Sequence, residues 1–139
     1  MMQSLVTDLN KLCDEQLFHT GWYLKDLRLG ATADRQGHVV VPSASTRKIA
    51  IMMTALKAVH EGKLALDQPV TMLAKYQDND SGCFQHFQPG FTIQLRDVLI
   101  MMIIVSDNTC TGIVVDLVGL DAINALSQSV GMRGTTHRY

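Results

Sequence analysis

Cysteine, proline and aromatic residues are scarce in this chain, and no long apolar run occurs. With three cysteines, Cys13, Cys83 and Cys110, one thiol is always left over. A disulfide framework is therefore not the organising device, and free thiols in a reducing compartment are expected. The longest apolar stretches, at 49–56 and 99–105, fall far short of what a membrane span needs, about 20 residues. The segment 1–15 has no basic start followed by an apolar stretch, so it does not read as a secretory leader. The expectation is a cytoplasmic protein as the chain stands, or a periplasmic or secreted one if a leader has been removed. The net charge is −1, with no basic stripe, which argues against nucleic acid or an anionic membrane as the main partner. The five histidines, His19, His38, His60, His86 and His137, form no H-E-x-x-H pattern, and there is no C-x-x-C, G-x-G-x-x-G or phosphate loop. No metal and no cofactor are expected.

What is present is enough apolar residue, 47% of 139 residues, for a single core. Periodicity predicts a helix over 6–18 and a strand over 22–29, then a turn region over 30–37 and a second strand over 38–41 closed by Pro42. The strongest helix signal covers 45–61, with Ile49, Met52, Met53, Leu56 and Val59 as its apolar stripe and Gly62 as its stop. Residues 64–91 read mostly as loop, broken by Pro69, Gly82, Pro89 and Gly90. Thr92 is placed to cap a helix running to Val105 that is apolar nearly all round, hence buried. Asp107 and Asp121 are placed to cap two more, ended by Gly119 and Gly131. Met52, Met53, Met101 and Met102 lie on apolar helices, so core packing is their expected role rather than a plastic binding surface.

Two short motifs carry chemistry. Ser45-Thr46-Arg47-Lys48 is S-x-x-K at a helix start. A serine hydroxyl is a weak nucleophile until a base takes its proton, and residues three apart share a helical face, so Lys48 can reach Ser45. A lysine serves as base when burial, the helix N-terminus or a nearby cation lowers its pKa. Alone, the motif reads more readily as a capping serine with a solvated lysine one turn on. The second motif, Ser106-Asp107-Asn108, sits between two helices. Asp107 has an evident capping role there, while Ser106 can shuttle a proton and the Asn108 amide can contact a substrate amide. Cys110 follows one turn on and reads as a buried, inert thiol.

S-x-x-K followed after a buried helix by S-D-N resembles the ordered signature of class A β-lactamases and penicillin-binding proteins. The flanks agree: Pro42-Ser43-Ala44 before the serine, His60-Glu61-Gly62-Lys63-Leu64-Ala65-Leu66-Asp67 after its helix, Leu95-Arg96-Asp97 and Met101-Met102-Ile103-Ile104-Val105 ahead of S-D-N, and Trp22-Tyr23-Leu24-Lys25-Asp26-Leu27 as the first sheet strand. The resemblance implies an α+β fold of the β-lactamase/transpeptidase type, present in part. It would be mainly helical, with an N-terminal helix and a short strand pair, and without the C-terminal sheet strands. It implies one incomplete domain over 1–139 with a helical subdomain at about 45–139. By the same resemblance, Ser45 is the nucleophile toward a β-lactam or a peptidoglycan-like acyl-D-Ala group, Lys48 its base or proton relay, Ser106 the donor to the leaving nitrogen, and Asn108 a substrate-orienting amide.

The chain departs from that family in three places. No lysine is followed by Ser or Thr and then Gly, so the K-T-G strand is absent. The only glutamates, Glu15 and Glu61, match no deacylating glutamate. Arg47 stands where the family tends to have an apolar or aromatic residue. An arginine entering the pocket would lower the lysine pKa or bind a carboxylate, one facing solvent would mean little, and the second is the expectation. Three functional readings stay open: a serine hydrolase working through an acyl-enzyme, a non-turnover binder that traps the acyl group on Ser45, and an inactive fragment of a longer hydrolase. In the resemblance a sheet covers the nucleophile helix and its neighbours, so self-association or a complementing C-terminal segment is expected as partner.

Overall fold

The computed structural model describes residues 2–77 and 80–138. Asp78 and Asn79, inside the stretch expected to be loop, lie outside the described residues. The chain forms two compact units, divided after Val41.

The first unit holds helix α1 (Met2–Asp14) and an antiparallel ribbon of β1 (Trp22–Lys25) and β2 (Thr32–Arg35). The helix begins and ends earlier than its periodicity suggests. The expected strand at 38–41 does not form, and β2 lies within the expected turn region instead. Local hydrogen bonding decides this. Asp26 Oδ1 accepts from the amides of Arg28 and Leu29, at 2.8 and 2.9 Å, and Gly30 N–H donates to the Asp26 carbonyl. That tight aspartate turn sends the chain back at once, pairing Trp22 with Arg35 and Lys25 with Thr32. Asp34 Oδ1 then accepts from Gly37 N–H and ends the ribbon, leaving the β-prone Val39-Val40-Val41 run exposed and unpaired. An ion pair of Arg35 with Asp14, at 2.7 Å, joins β2 to the end of α1. No residue of α1 is buried.

The second unit is helical. A 3₁₀ turn (Ala44–Thr46) leads into α2 (Arg47–His60), and α3 (Leu95–Ile104), α4 (Asn108–Val118) and α5 (Leu120–Ser129) follow. A small ribbon of β3 (Pro69–Thr71) and β4 (Thr92–Gln94) stands in the stretch expected as loop and in the expected first turn of α3. Val70 pairs with Ile93, and the amides of Leu95 and Arg96 donate to the carbonyls of Gln68 and Leu66. Those carbonyls satisfy the free donors that open a helix, so α3 starts at Leu95 without Thr92 as cap. Gly119 closes α4 and opens α5 with its left-handed φ of 80°, so Asp121 lies in the first turn rather than at the cap. The core joins Ile51 and Ala55 of α2, Val98, Leu99 and Met102 of α3, and Ile113 and Val114 of α4. Burial of α3 is one-sided, because Ile100, Ile103 and Ile104 are exposed despite the all-round apolar pattern. Among the described residues no single helix is long and apolar enough to cross a membrane.

Truncating Met102, which is fully buried, to alanine is expected to lower unfolding free energy by about 2–5 kcal/mol. The exposed neighbour Ile103→Ala should cost under about 1 kcal/mol, and urea unfolding of the two variants separates the one-sided packing from a fully buried helix.

Candidate active site

The 3₁₀ turn sets Ser45 at the head of α2, and the residue before it, Ala44, has the left-handed φ of 45°. Across from it, Ser106 also has a left-handed φ, 55°. Such a conformation costs a non-glycine residue on the order of 1–3 kcal/mol and persists only where surrounding contacts impose it.

Those contacts are visible. Lys48, on α2, is 3% exposed, and its ammonium donates to the Ser106 carbonyl at 2.6 Å, Ser106 Oγ at 2.9 Å and Asn108 Oδ1 at 2.7 Å. Three protons meet three acceptors, which is what a buried ammonium needs. Ser106 Oγ in turn donates to Ser45 Oγ at 2.8 Å. The expected direct reach from Lys48 to Ser45 is replaced by a path through Ser106, because the turn residues take all three ammonium protons. Hydroxyl hydrogens rotate freely, so the same path can carry a proton either way. Burial pulls the Lys48 pKa below its usual value, Asp107 opposes this, and the Arg47 charge adds to the lowering.

Arg47 is half-buried rather than free in solvent, so the expectation that it means little is replaced by an electrostatic effect on Lys48. Its charge also adds to the burial that lowers the pKa of His137. The backbone of that histidine is held by both amide atoms of Asn124.

Asp107 is fully buried. One carboxylate oxygen caps α4 by accepting from Cys110 N–H at 2.9 Å, and the other accepts from the amides of Cys83 and Phe84, at 2.7 and 2.9 Å. The loop at 81–87 is thereby tied to α4. Asn108 N–H donates to the Ser81 carbonyl, and Ser81 Oγ donates to the Ser106 carbonyl at 3.1 Å. Phe84, Phe87 and Phe91 pack their rings together, and Gln77 Nε2 bonds the carbonyls of the first two. Cys110 is buried and its thiol pKa is pushed up, first by burial and then by Asp107, so it stays a thiol.

Ser45, Lys48, Ser106, Asp107 and Asn108 thus converge on one place. The sequence marks Gly82 only as a loop breaker and gives neither it nor Ser81 a place at the site. Their signal was a serine and glycine in a breaker-rich loop, which marks a turn but not what the turn touches. Glu61 lies at the far end of α2, paired with Lys57 and Lys63 and held down to about 2 by them. No group of three or more His, Cys, Asp or Glu side chains suited to a metal occurs among the described residues.

The sequence profile of the β-lactamase enzyme family matches residues 4–139. No curated protein matches the chain. Among solved structures, a β-lactamase from Sphaerobacter thermophilus DSM 20745 is 33% identical with a TM-score of 0.79, over 86% of this chain and 44% of that one. PBP-A is 29% identical with a TM-score of 0.87, over 98% of this chain and 52% of that one. An L158E mutant of PBP-A, solved as an acyl-enzyme complex with penicillin G, is 28% identical with a TM-score of 0.88, over 99% of this chain and 53% of that one. The chain therefore spans about half the length of these structures.

Gly82 has a φ of 103°, and a Cβ there would lie 2.2 Å from Asp107 Oδ2. Gly82→Ala is expected to break the hold of Asp107 on the loop and to lower the melting temperature by several degrees, a loss of about 2 kcal/mol or more. Gly134→Ala, where a Cβ meets nothing within 4 Å, serves as the control and should melt with the parent.

Proposed function

The chain belongs to the β-lactamase enzyme family, and from that premise we propose that it is a serine hydrolase whose Ser45 attacks the amide carbonyl of a β-lactam or an acyl-D-Ala-like group and carries the acyl chain. The observation that carries this reading is the unbroken line from Lys48 Nζ through Ser106 Oγ to Ser45 Oγ, with steps of 2.9 and 2.8 Å. The penicillin acyl-enzyme of the PBP-A mutant supports the choice of substrate class.

The proton path follows from the geometry. When Lys48 is neutral, its lone pair faces Ser106 Oγ. As Ser45 Oγ bonds to the substrate carbonyl carbon, its proton passes to Ser106 Oγ and the Ser106 proton passes to Lys48 Nζ. Collapse of the tetrahedral intermediate breaks the C–N bond, and Ser106 returns a proton to the leaving nitrogen while Lys48 resupplies Ser106. Asn108 Oδ1 steadies Lys48 while it holds the proton, and its Nδ2 would face a substrate carbonyl.

The same site supports a second reading, an acyl trap. Hydrolysis of the ester needs a base for water. Both oxygens of Asp107 are already committed to N–H donors, and Glu61 is held by two lysines away from Ser45. On this reading, with Asp107 and Glu61 both committed to other partners, the acyl group would stay.

Intact mass after incubation with penicillin G decides between them. A stable adduct that Ser45→Ala loses is expected for the trap, and turnover without adduct, also lost in Ser45→Ala, is expected for the hydrolase. Neither adduct nor turnover would overturn both. A pH profile tests the relay. Acylation should accelerate as pH rises and Lys48 deprotonates, and should level off at a midpoint below the ordinary lysine value of 10.5. A rate independent of pH, or one unaffected by Lys48→Met, would remove Lys48 from the proton path.

A further inference from the structure

Asp107 gathers two sulfurs as well as a helix and a loop. The backbone amide of Cys83 donates to its Oδ2 at 2.7 Å, and that of Cys110 to its Oδ1 at 2.9 Å. Two nitrogens bonded to the two oxygens of one carboxylate are at most about 8 Å apart. The Cys110 thiol also hydrogen-bonds Asp107 and lies within electrostatic reach of the Cys83 thiol. Two residues far apart in the chain are thus brought together, and both carry free thiols. A disulfide needs Cα atoms within about 7 Å, and the loop at 81–87, tied to Asp107 by hydrogen bonds, supplies any remaining adjustment. The two thiols differ in access, since Cys110 is fully buried and Cys83 is half-buried. Cys13 belongs to the other unit.

We propose that Cys83 and Cys110 are a modification site, joined by a disulfide when a small-molecule disulfide is present and opened again by small thiols. The Cys83 thiolate attacks one sulfur of the small disulfide, whose S–S bond breaks, and one small thiolate leaves. The Cys110 sulfur then attacks the Cys83 sulfur, and the second small thiolate departs and takes up the Cys110 proton. The small disulfide is reduced to two thiols, and the two protein thiols are oxidised to one bridge. Burial keeps Cys110 protonated, so it completes the exchange and does not start it. The bridge adds a covalent tie where Asp107 already holds the loop to α4, beside the turn that carries Ser106 and Asn108. The proposal rests on the contacts of Asp107, not on the chemistry assigned to Ser45.

The test is incubation of the native protein with glutathione disulfide at mildly alkaline pH, followed by acid quenching and peptide mapping. A linked pair of peptides holding Cys83 and Cys110 is expected. In a Cys13→Ser background the bridged form should be lighter than the dithiol form by two hydrogens and melt several degrees higher. Its Cys83 and Phe84 amides should exchange hydrogen at least ~10-fold more slowly, and dithiothreitol should reverse all three changes. The parent protein alone decides the linkage, so the test does not depend on how a variant folds. Glutathione left on Cys83 with Cys110 still reduced overturns the proposal. So does a bridge through Cys13 or between two copies, and so does a Cys83–Cys110 bridge that leaves melting and exchange unchanged. No β-lactam enters the experiment, so failure of the cysteine pair and failure of the serine chemistry are told apart.

Discussion

A carboxylate withdrawn from water has to be met by donors, and Asp107 meets them from two directions. One oxygen takes the Cys110 amide in the first turn of α4 and the other takes the amides of Cys83 and Phe84 in the loop. That single group fixes where α4 begins and where the loop lies. Everything chemical hangs on the residues either side of it. Ser106 precedes it and Asn108 follows it, and both present acceptors to Lys48. Without Asp107 the buried ammonium would lose the ordered turn that solvates it, and burial of an unsolvated cation is costly enough to expel it.

The site is held by mutual dependence rather than by one strong bond. Lys48 needs the turn for its three protons, and the turn needs Lys48 to keep Ser106 in a left-handed conformation. Ser81 reinforces the same carbonyl from the loop side. Burial does most to lower the Lys48 pKa, and the Arg47 charge adds to it. A lysine that the proposed relay needs in its neutral form is thus buried and beside another cation, while Asp107 limits how far that goes.

That Ser45, Lys48, Ser106 and Asn108 come together could be expected from the sequence because two short patterns sit on helix starts, where geometry follows from spacing. Lys48 lies one turn after Ser45, and Asp107 is an N-cap type at an N-cap position. What the sequence concealed was non-local. Nothing in Ser81-Gly82 tells that the Ser81 carbonyl and hydroxyl serve a turn twenty-five residues later. The Val39-Val40-Val41 run has strong strand propensity but no partner, while Thr32–Arg35 became the strand because the Asp26 turn delivered it to β1 first. Likewise Thr92 looks like a cap, but ribbon pairing with Thr71 and carbonyls from Leu66 and Gln68 made one unnecessary. The exposed side of α3 shows the opposite limit, since an apolar pattern states a demand for cover without stating where the cover comes from.

The left-handed backbone at Ser106 sets stability against reactivity at one position. Glycine would adopt that φ without strain, but it would also remove one of the three acceptors of the Lys48 ammonium. The same exchange would delete the hydroxyl that joins Lys48 to Ser45, leaving the proposed base and nucleophile with nothing between them. The serine is thus a strained position that its contacts hold in place, and the strain is what the proposed relay asks of the backbone.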